Sequence, residues 1–333
     1  MKKAIALLLA LALVGGAVFA EGLEISGYVN AGMMIQSDAD ATTYKLYADD
    51  WGGDSTFGYM DVSYSNEMSG ASVTFIGDSN GAVTVDTAYG WVSPMAGLKL
   101  IGGNWSGGAF DGVDDDSNDY FGAEGVFATY SVSGFTAGAG QVLTDSAKKN
   151  PDYVFGAAYA IDGMLKIRSS FRTVSDELNK MAISASYTGT PDLLISGGYL
   201  AENMLEAPVI DDDLGPIADS DVVNNWIDAT VKYTMGDLYA QAIMYYYLAQ
   251  EWFYVAPRVG YSVNEALSVY GQVKYESEGA GDTDTDFGYN PSTVVLRGYA
   301  SYKIDDNAQM FGQVEYDTDA EATTFFLNYL WSF

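Results

Sequence analysis

The last eleven residues, Thr323-Thr-Phe-Phe-Leu-Asn-Tyr-Leu-Trp-Ser-Phe333, decide how the rest of the chain is read. Phe325, Leu327, Tyr329, Trp331 and Phe333 fall at every second position, so in a β-strand they share one face. The other face carries Thr324, Asn328 and Ser332, diluted by Phe326 and Leu330. Four aromatic rings and a leucine on one side of a strand need an apolar medium to lie against. Lipid supplies it, with aromatics concentrated near the membrane interfaces. The pattern points to a barrel wall whose outer face meets a bilayer.

The other end of the chain agrees. Lys2 and Lys3 precede a run, Ala4 to Phe19, made only of apolar residues and glycine, and Val18 and Ala20 suit a cleavage site. Residues 1–20 therefore read as a secretory signal peptide, in preference to an uncleaved anchor, and residues 21–333 as a single domain. Beyond residue 20 there is no run of about 18–20 apolar residues, as a spanning helix requires. An exported chain that crosses a membrane without such a helix must close into a barrel, because lipid offers no partner to an open strand edge.

Composition narrows the functions available. Gly 37, Tyr 26, 14% aromatic residues and only 7 Pro suit strands with one lipid face and one wet face. Cys 0 removes disulfides, zinc–thiolate sites and cysteine nucleophiles, and His 0 removes Ser–His hydrolysis and the usual general base. The formal charge of −30 becomes −32 once Lys2 and Lys3 leave with the signal, which argues against nucleic-acid partners and favours cations.

Short turns recur along the chain, as in Asn66-Glu-Met-Ser-Gly70, Val132-Ser-Gly134, Ile161-Asp-Gly163 and Ile304-Asp-Asp-Asn307. Between them lie longer, Asp-rich connections, expected at 36–54, 78–81, 105–121, 144–151, 174–178, 202–221, 249–251, 277–291 and 317–321. The strands alternate cleanly: Leu165, Ile167 and Phe171 against Lys166, Arg168 and Arg172, or Ile227, Val231 and Tyr233 against Asp228, Thr230 and Lys232. Eight turns and nine connections give eighteen strands. Sixteen is the alternative, with 41–48 and 82–93 the ambiguous segments. The fold class is thus all-β, a transmembrane antiparallel barrel of 16–18 strands with short periplasmic turns and longer external loops, and wide enough for an aqueous lumen.

The chain resembles the bacterial outer-membrane porins in this layout. Ser55-Thr-Phe-Gly-Tyr-Met-Asp-Val-Ser-Tyr followed by Ala71-Ser-Val-Thr-Phe resembles their early hairpin, and Gly122-Ala-Glu-Gly-Val-Phe-Ala-Thr-Tyr-Ser-Val that after their third loop. The likeness is one of pattern, without a diagnostic motif, and the closing strand Phe325 to Phe333 resembles the assembly signal read by the barrel-assembly machinery. The resemblance implies an outer-membrane location, a homotrimer, and a third loop folded into the pore. The matching segment, 105–121, would place Asp111, Asp114, Asp115, Asp116 and Asp119 at a constriction. The loop tip of classical porins survives here only as Gly108-Ala-Phe-Asp-Gly112, so inward folding competes with an ordinary external loop.

Inward parity also gathers Lys166, Arg168, Arg172, Arg258, Lys274, Arg297 and Lys303 on the lumen wall, where opposing charges discriminate solutes. The plainer reading is that charges occupy the inner face because lipid forbids them outside. Tyr239, Gln241, Tyr245, Tyr247, Tyr270 and Tyr299 share that parity and suggest an aromatic path for saccharides. Asp282-Thr-Asp-Thr-Asp286 begins like a calcium loop, yet Phe287 stands at the glycine position and Thr293 at the closing acid. No cofactor is expected beyond loosely held divalent cations.

The function expected is passive diffusion of small hydrophilic solutes and ions through a porin, weakly cation-preferring. The alternatives are a substrate-specific channel and a surface adhesin or structural barrel. An enzyme is not expected, since barrel hydrolases rely on histidine.

Overall fold

The computed structural model describes residues 22–39, 41–47, 58–77, 82–105, 107, 110, 121–143, 152–174, 177–202, 224–248, 251–277 and 292–333. Among them every regular element is a strand. The first are β1 (Leu23–Ser37), β2 (Thr42–Tyr47), β3 (Gly58–Ser65), β4 (Ser69–Gly77), β5 (Val83–Met95), β6 (Leu98–Trp105) and β7 (Ala123–Val132). Next come β8 (Phe135–Val142), β9 (Asp152–Ile161), β10 (Leu165–Val174), β11 (Glu177–Tyr187), β12 (Leu193–Glu202) and β13 (Asn224–Met235). The chain ends with β14 (Leu238–Tyr247), β15 (Trp252–Ser262), β16 (Leu267–Glu276), β17 (Thr293–Lys303), β18 (Ala308–Asp317) and β19 (Ala322–Ser332).

From β3 onward each strand pairs antiparallel with the next, and β19 returns to β1. β2 and β3 both pair with one edge of β1, β3 opposite Leu23–Val29 and β2 opposite Gly32–Ser37. They are two pieces of one wall strand, so a 19-stranded sheet forms an 18-strand barrel.

Several expected connections move. The stretch 36–54 does not begin as a loop, because β1 reaches Ser37 and Thr42–Tyr47 is a strand. A tight turn joins them, in which the Ala41 amide donates to Asp38 Oδ1 at 2.8 Å. The β-branched and aromatic run Thr42-Thr-Tyr-Lys-Leu-Tyr47 outweighs its Asp-rich flanks. The ambiguous 82–93 is strand β5, extended to Met95, and Pro94 falls where its register with β6 shifts, a place that needs no amide donor. The connection expected at 317–321 is a tight turn, with the Asp319 and Ala320 amides on Asp317 Oδ1 at 2.8 and 3.1 Å.

Burial runs inside out. Ser170, Thr230, Asn328 and Asp228 are buried, while Phe155, Leu296 and Val259 are about half exposed. Polar side chains face inward, where neighbours and long cations cover them, and apolar ones face outward. That is the distribution of a wall between lipid and water.

The seam follows the closing strand. β1 and β19 run in register from Tyr28 opposite Ser332 to Ser37 opposite Thr323, so Val29, Ala31, Met33 and Ile35 lie beside Trp331, Tyr329, Leu327 and Phe325 on the outer face. Phe333 continues the ladder through two backbone hydrogen bonds with Gly27, at 3.0 and 3.1 Å. A Cβ at Gly27 would fall 2.2 Å from the Tyr59 carbonyl oxygen and 2.9 Å from the Phe333 ring, so the seam closes only over glycine. Each backbone group left open to lipid costs several kcal/mol, and closure removes that cost.

Candidate functional site in the lumen

Strands β13 to β18 bring Lys232, Gln241, Arg258, Gln272, Arg297 and Glu315 side by side in one transverse row on the inner wall. The row below, toward the short turns, holds Tyr239, Gly260, Tyr270, Tyr299 and Gln313. Cations and amides thus lie directly over aromatics. Arg258 donates from Nε and Nη2 to Gln241 Oε1 at 3.0 and 2.7 Å, with its guanidinium 5.4 Å from the Tyr270 ring centre. The Lys232 ammonium stands 4.8 Å over Tyr239. Tyr239 lies against Gly260, where a Cβ would meet its ring at 2.2 Å.

The other predicted basic residues divide. Lys166, Arg168 and Arg172 share the inner face of β10, and Arg172 reaches buried Asp152 on β9 at 3.8 Å. Lys274 pairs with Glu276 and lies 4.9 Å over Tyr254, and Arg297 pairs with Glu315. Lys303 departs from the expected ladder. It sits at the end of β17, half exposed, and binds Asp306 in the adjoining turn at 2.7 Å. That hydrogen bond, with the ammonium charge, holds the Asp306 carboxyl below its ordinary range. Lys303 belongs to the short-turn rim because the strand ends there.

Lys232, set on the polar face of its strand by the sequence but not counted with the lumen cations, and Lys99 and Lys180, which the sequence reading passed over, have the same inward parity. Lys180 pairs with Glu202 at 3.0 Å, and Lys99 lies 4.4 Å over Trp91. Parity alone was enough to find them. Their partners were not legible, since these depend on register.

The opposite wall is apolar. Ile101, Phe127, Val142 and Val154 form a buried cluster inside the barrel, with Trp105 and Trp91 against it. Phe110, beyond the end of β6, and Phe121, before β7, are inserted into it. Their rings are 4.4 Å apart, and Phe121 meets Trp105 edge-on at 5.8 Å. A Cβ on inward Gly156 or Gly138 would stand 2.7 Å from Phe110 or Phe121 ring atoms respectively, so the glycines make the hollow into which the rings fit. Phe110 and Phe121 therefore both point into the lumen. Asp111, Asp114, Asp115, Asp116 and Asp119 lie outside the described residues, as do Asp282, Asp284 and Asp286.

Of the tyrosines expected as a track, all but Tyr239 are stacked on a neighbouring ring. Tyr270 and Tyr299 are 4.6 Å apart at 16°, Tyr245 and Tyr254 4.7 Å at 25°, and Trp226 and Tyr247 5.7 Å at 27°. Faces engaged in this way stiffen the wall.

A closed 18-strand antiparallel wall, apolar without and carrying charged residues within, defines a porin-like β-barrel. Solved structures bear out the fold. The chain is similar to a mutant of Rh. blastica porin at TM-score 0.55 and 15% identity, covering 93% of this chain and 100% of that one. It is similar to Pseudomonas aeruginosa OccK8 (OprE) at 0.58 and 12%, covering 95% and 99%. Similarity to Pseudomonas aeruginosa OccK2 (OpdF), solved with glucuronate, is 0.62 and 10%, covering 94% and 98%. No protein-family model and no curated protein sequence matches.

Proposed function

We propose that the chain is an outer-membrane porin: a water-filled channel through which small hydrophilic solutes and ions diffuse passively. The observation that carries this reading is the inner wall. Charged residues line a closed tube, and Phe110 and Phe121 project into it. Opposed charged and apolar walls sort solutes.

The channel prefers cations weakly. The chain carries 45 acidic against 15 basic residues, and many wall cations are neutralised where they stand, Arg172 by Asp152, Lys180 by Glu202 and Arg297 by Glu315. Acidic connections at the mouth then dominate the field met by a small ion. A saccharide-specific channel draws less support, because most of the tyrosines that would form a continuous track stack on neighbouring rings. Assembly as a homotrimer, after signal cleavage and insertion by the barrel-assembly machinery, accompanies this reading by resemblance to porins.

Planar-bilayer recording tests it. Stepwise ohmic conductance is expected, with a reversal potential of cation-selective sign in a salt gradient. Folded protein that yields no conductance would refute the channel. An anion-selective potential would refute the preference alone.

A further inference from the structure

Two cations on the inner wall stand on either side of one glutamine. Arg172, Lys180, Lys274, Arg297 and Lys303 each have a carboxylate partner. Lys232 and Arg258 have none within ion-pair distance among the described residues. They flank Gln241 in the transverse row, one strand to either side, so their backbones are about 10 Å apart. Guanidinium carries five N–H donors, and Gln241 takes two of those of Arg258. The rest find no acceptor among the described residues. Gln241 is neutral and accepts through its oxygen, which leaves its amide nitrogen as a further donor. Beneath lies Tyr239, its ring against the backbone at Gly260 and 4.8 Å from the Lys232 ammonium.

We infer that Lys232, Gln241 and Arg258 form a docking point for a small organic anion, with its charged group between the two cations and a flat body over Tyr239. The site rests on the channel reading above and adds a solute class to it. A guanidinium without a carboxylate partner is a ready donor to carboxylate or phosphate oxygens, and such charge-assisted bonds are about twice as strong as neutral ones. A planar body gains by stacking on a ring already held flat. Small cations follow the acidic mouth, whereas an organic anion that enters is retained on this wall.

The test is block of single-channel current by benzoate, acetate, benzyl alcohol and phenyl phosphate added to reconstituted full-length protein. Benzoate is expected to block saturably, acetate at least tenfold more weakly for want of a body, and benzyl alcohol not at all for want of charge. Arg258→Gln and Lys232→Gln should each raise the half-blocking benzoate concentration about tenfold or more, while Arg258→Lys retains part of the block. Tyr239→Leu should weaken benzoate block and leave acetate unchanged. Stronger block by phenyl phosphate than by benzoate would support the site with a phosphate preference, and the reverse order would support it with a carboxylate one. Conductance without benzoate block, or block unchanged in both glutamine variants, overturns the docking point and leaves the channel standing. Absence of conductance overturns the channel reading, and the site with it.

Discussion

Replacing Phe110 by alanine should release the segment that follows β6 from the wall. The ring is 1% exposed, wedged over Gly156 and Gly138 and in contact with Phe121 at 4.4 Å. Truncating a buried Phe to Ala costs about 3–5 kcal/mol. The barrel does not depend on this ring, since its ladders close without it, so the loss falls on the docking of the segment. Each 1.4 kcal/mol is tenfold in an equilibrium, so the docked-to-detached ratio should drop by about two to three and a half powers of ten. Single-channel recording should then show raised current noise, or a higher mean conductance, as the segment leaves the lumen. Heat-modifiable migration of the variant on gels should stay that of a folded barrel. Gly156→Val attacks the same contact from the wall, because its Cβ would stand 2.7 Å from the Phe110 ring. The double variant should therefore behave much like either single one, since both remove one interaction. Unchanged conductance and noise in Phe110→Ala, or additive effects in the double variant, would refute the anchoring.

Other perturbations bear on the wall. Deleting Phe333, or replacing Gly27 by valine, should reduce the yield of folded barrel, because both break the seam at the two backbone hydrogen bonds between these residues. The check is folded fraction by gel shift after refolding into lipid. Arg172→Met strips the cation from buried Asp152 and should cost about 1–3 kcal/mol, read as a lower urea midpoint. Glu315→Gln frees Arg297 from its acid, so the reversal potential should move toward anion selectivity; an unmoved potential would place that pair away from the ion path.

Legibility in the sequence divided by the range of the interaction. The closing strand, the outward apolar faces and the inward basic residues of β10 follow from a period of two, which any local window displays. Lys274 with Glu276 could be paired by inspection, being two apart on one face, and so could Lys303 with Asp306 across a turn. Arg172 with Asp152, Lys180 with Glu202 and Arg297 with Glu315 could not. These pairs are 20, 22 and 18 residues apart, and a shift in strand register would separate them. The split of one wall strand into β2 and β3 was also hidden, because Asp-rich flanks obscure a short strand whose partner is β1.

By itself the sequence determined a chain of alternating strands with apolar residues to one side, charges to the other, and an aromatic strand among them. Alternation is a property of each strand alone. The tertiary structure decided which charge meets which, that Lys232 and Arg258 stand over a row of tyrosines with no acid paired to them among the described residues, and that Phe110 and Phe121 enter the glycine hollow of β8 and β9. Those contacts arise only when closure brings distant strands into register, because neighbours around a barrel are set by the ladder and not by proximity along the chain.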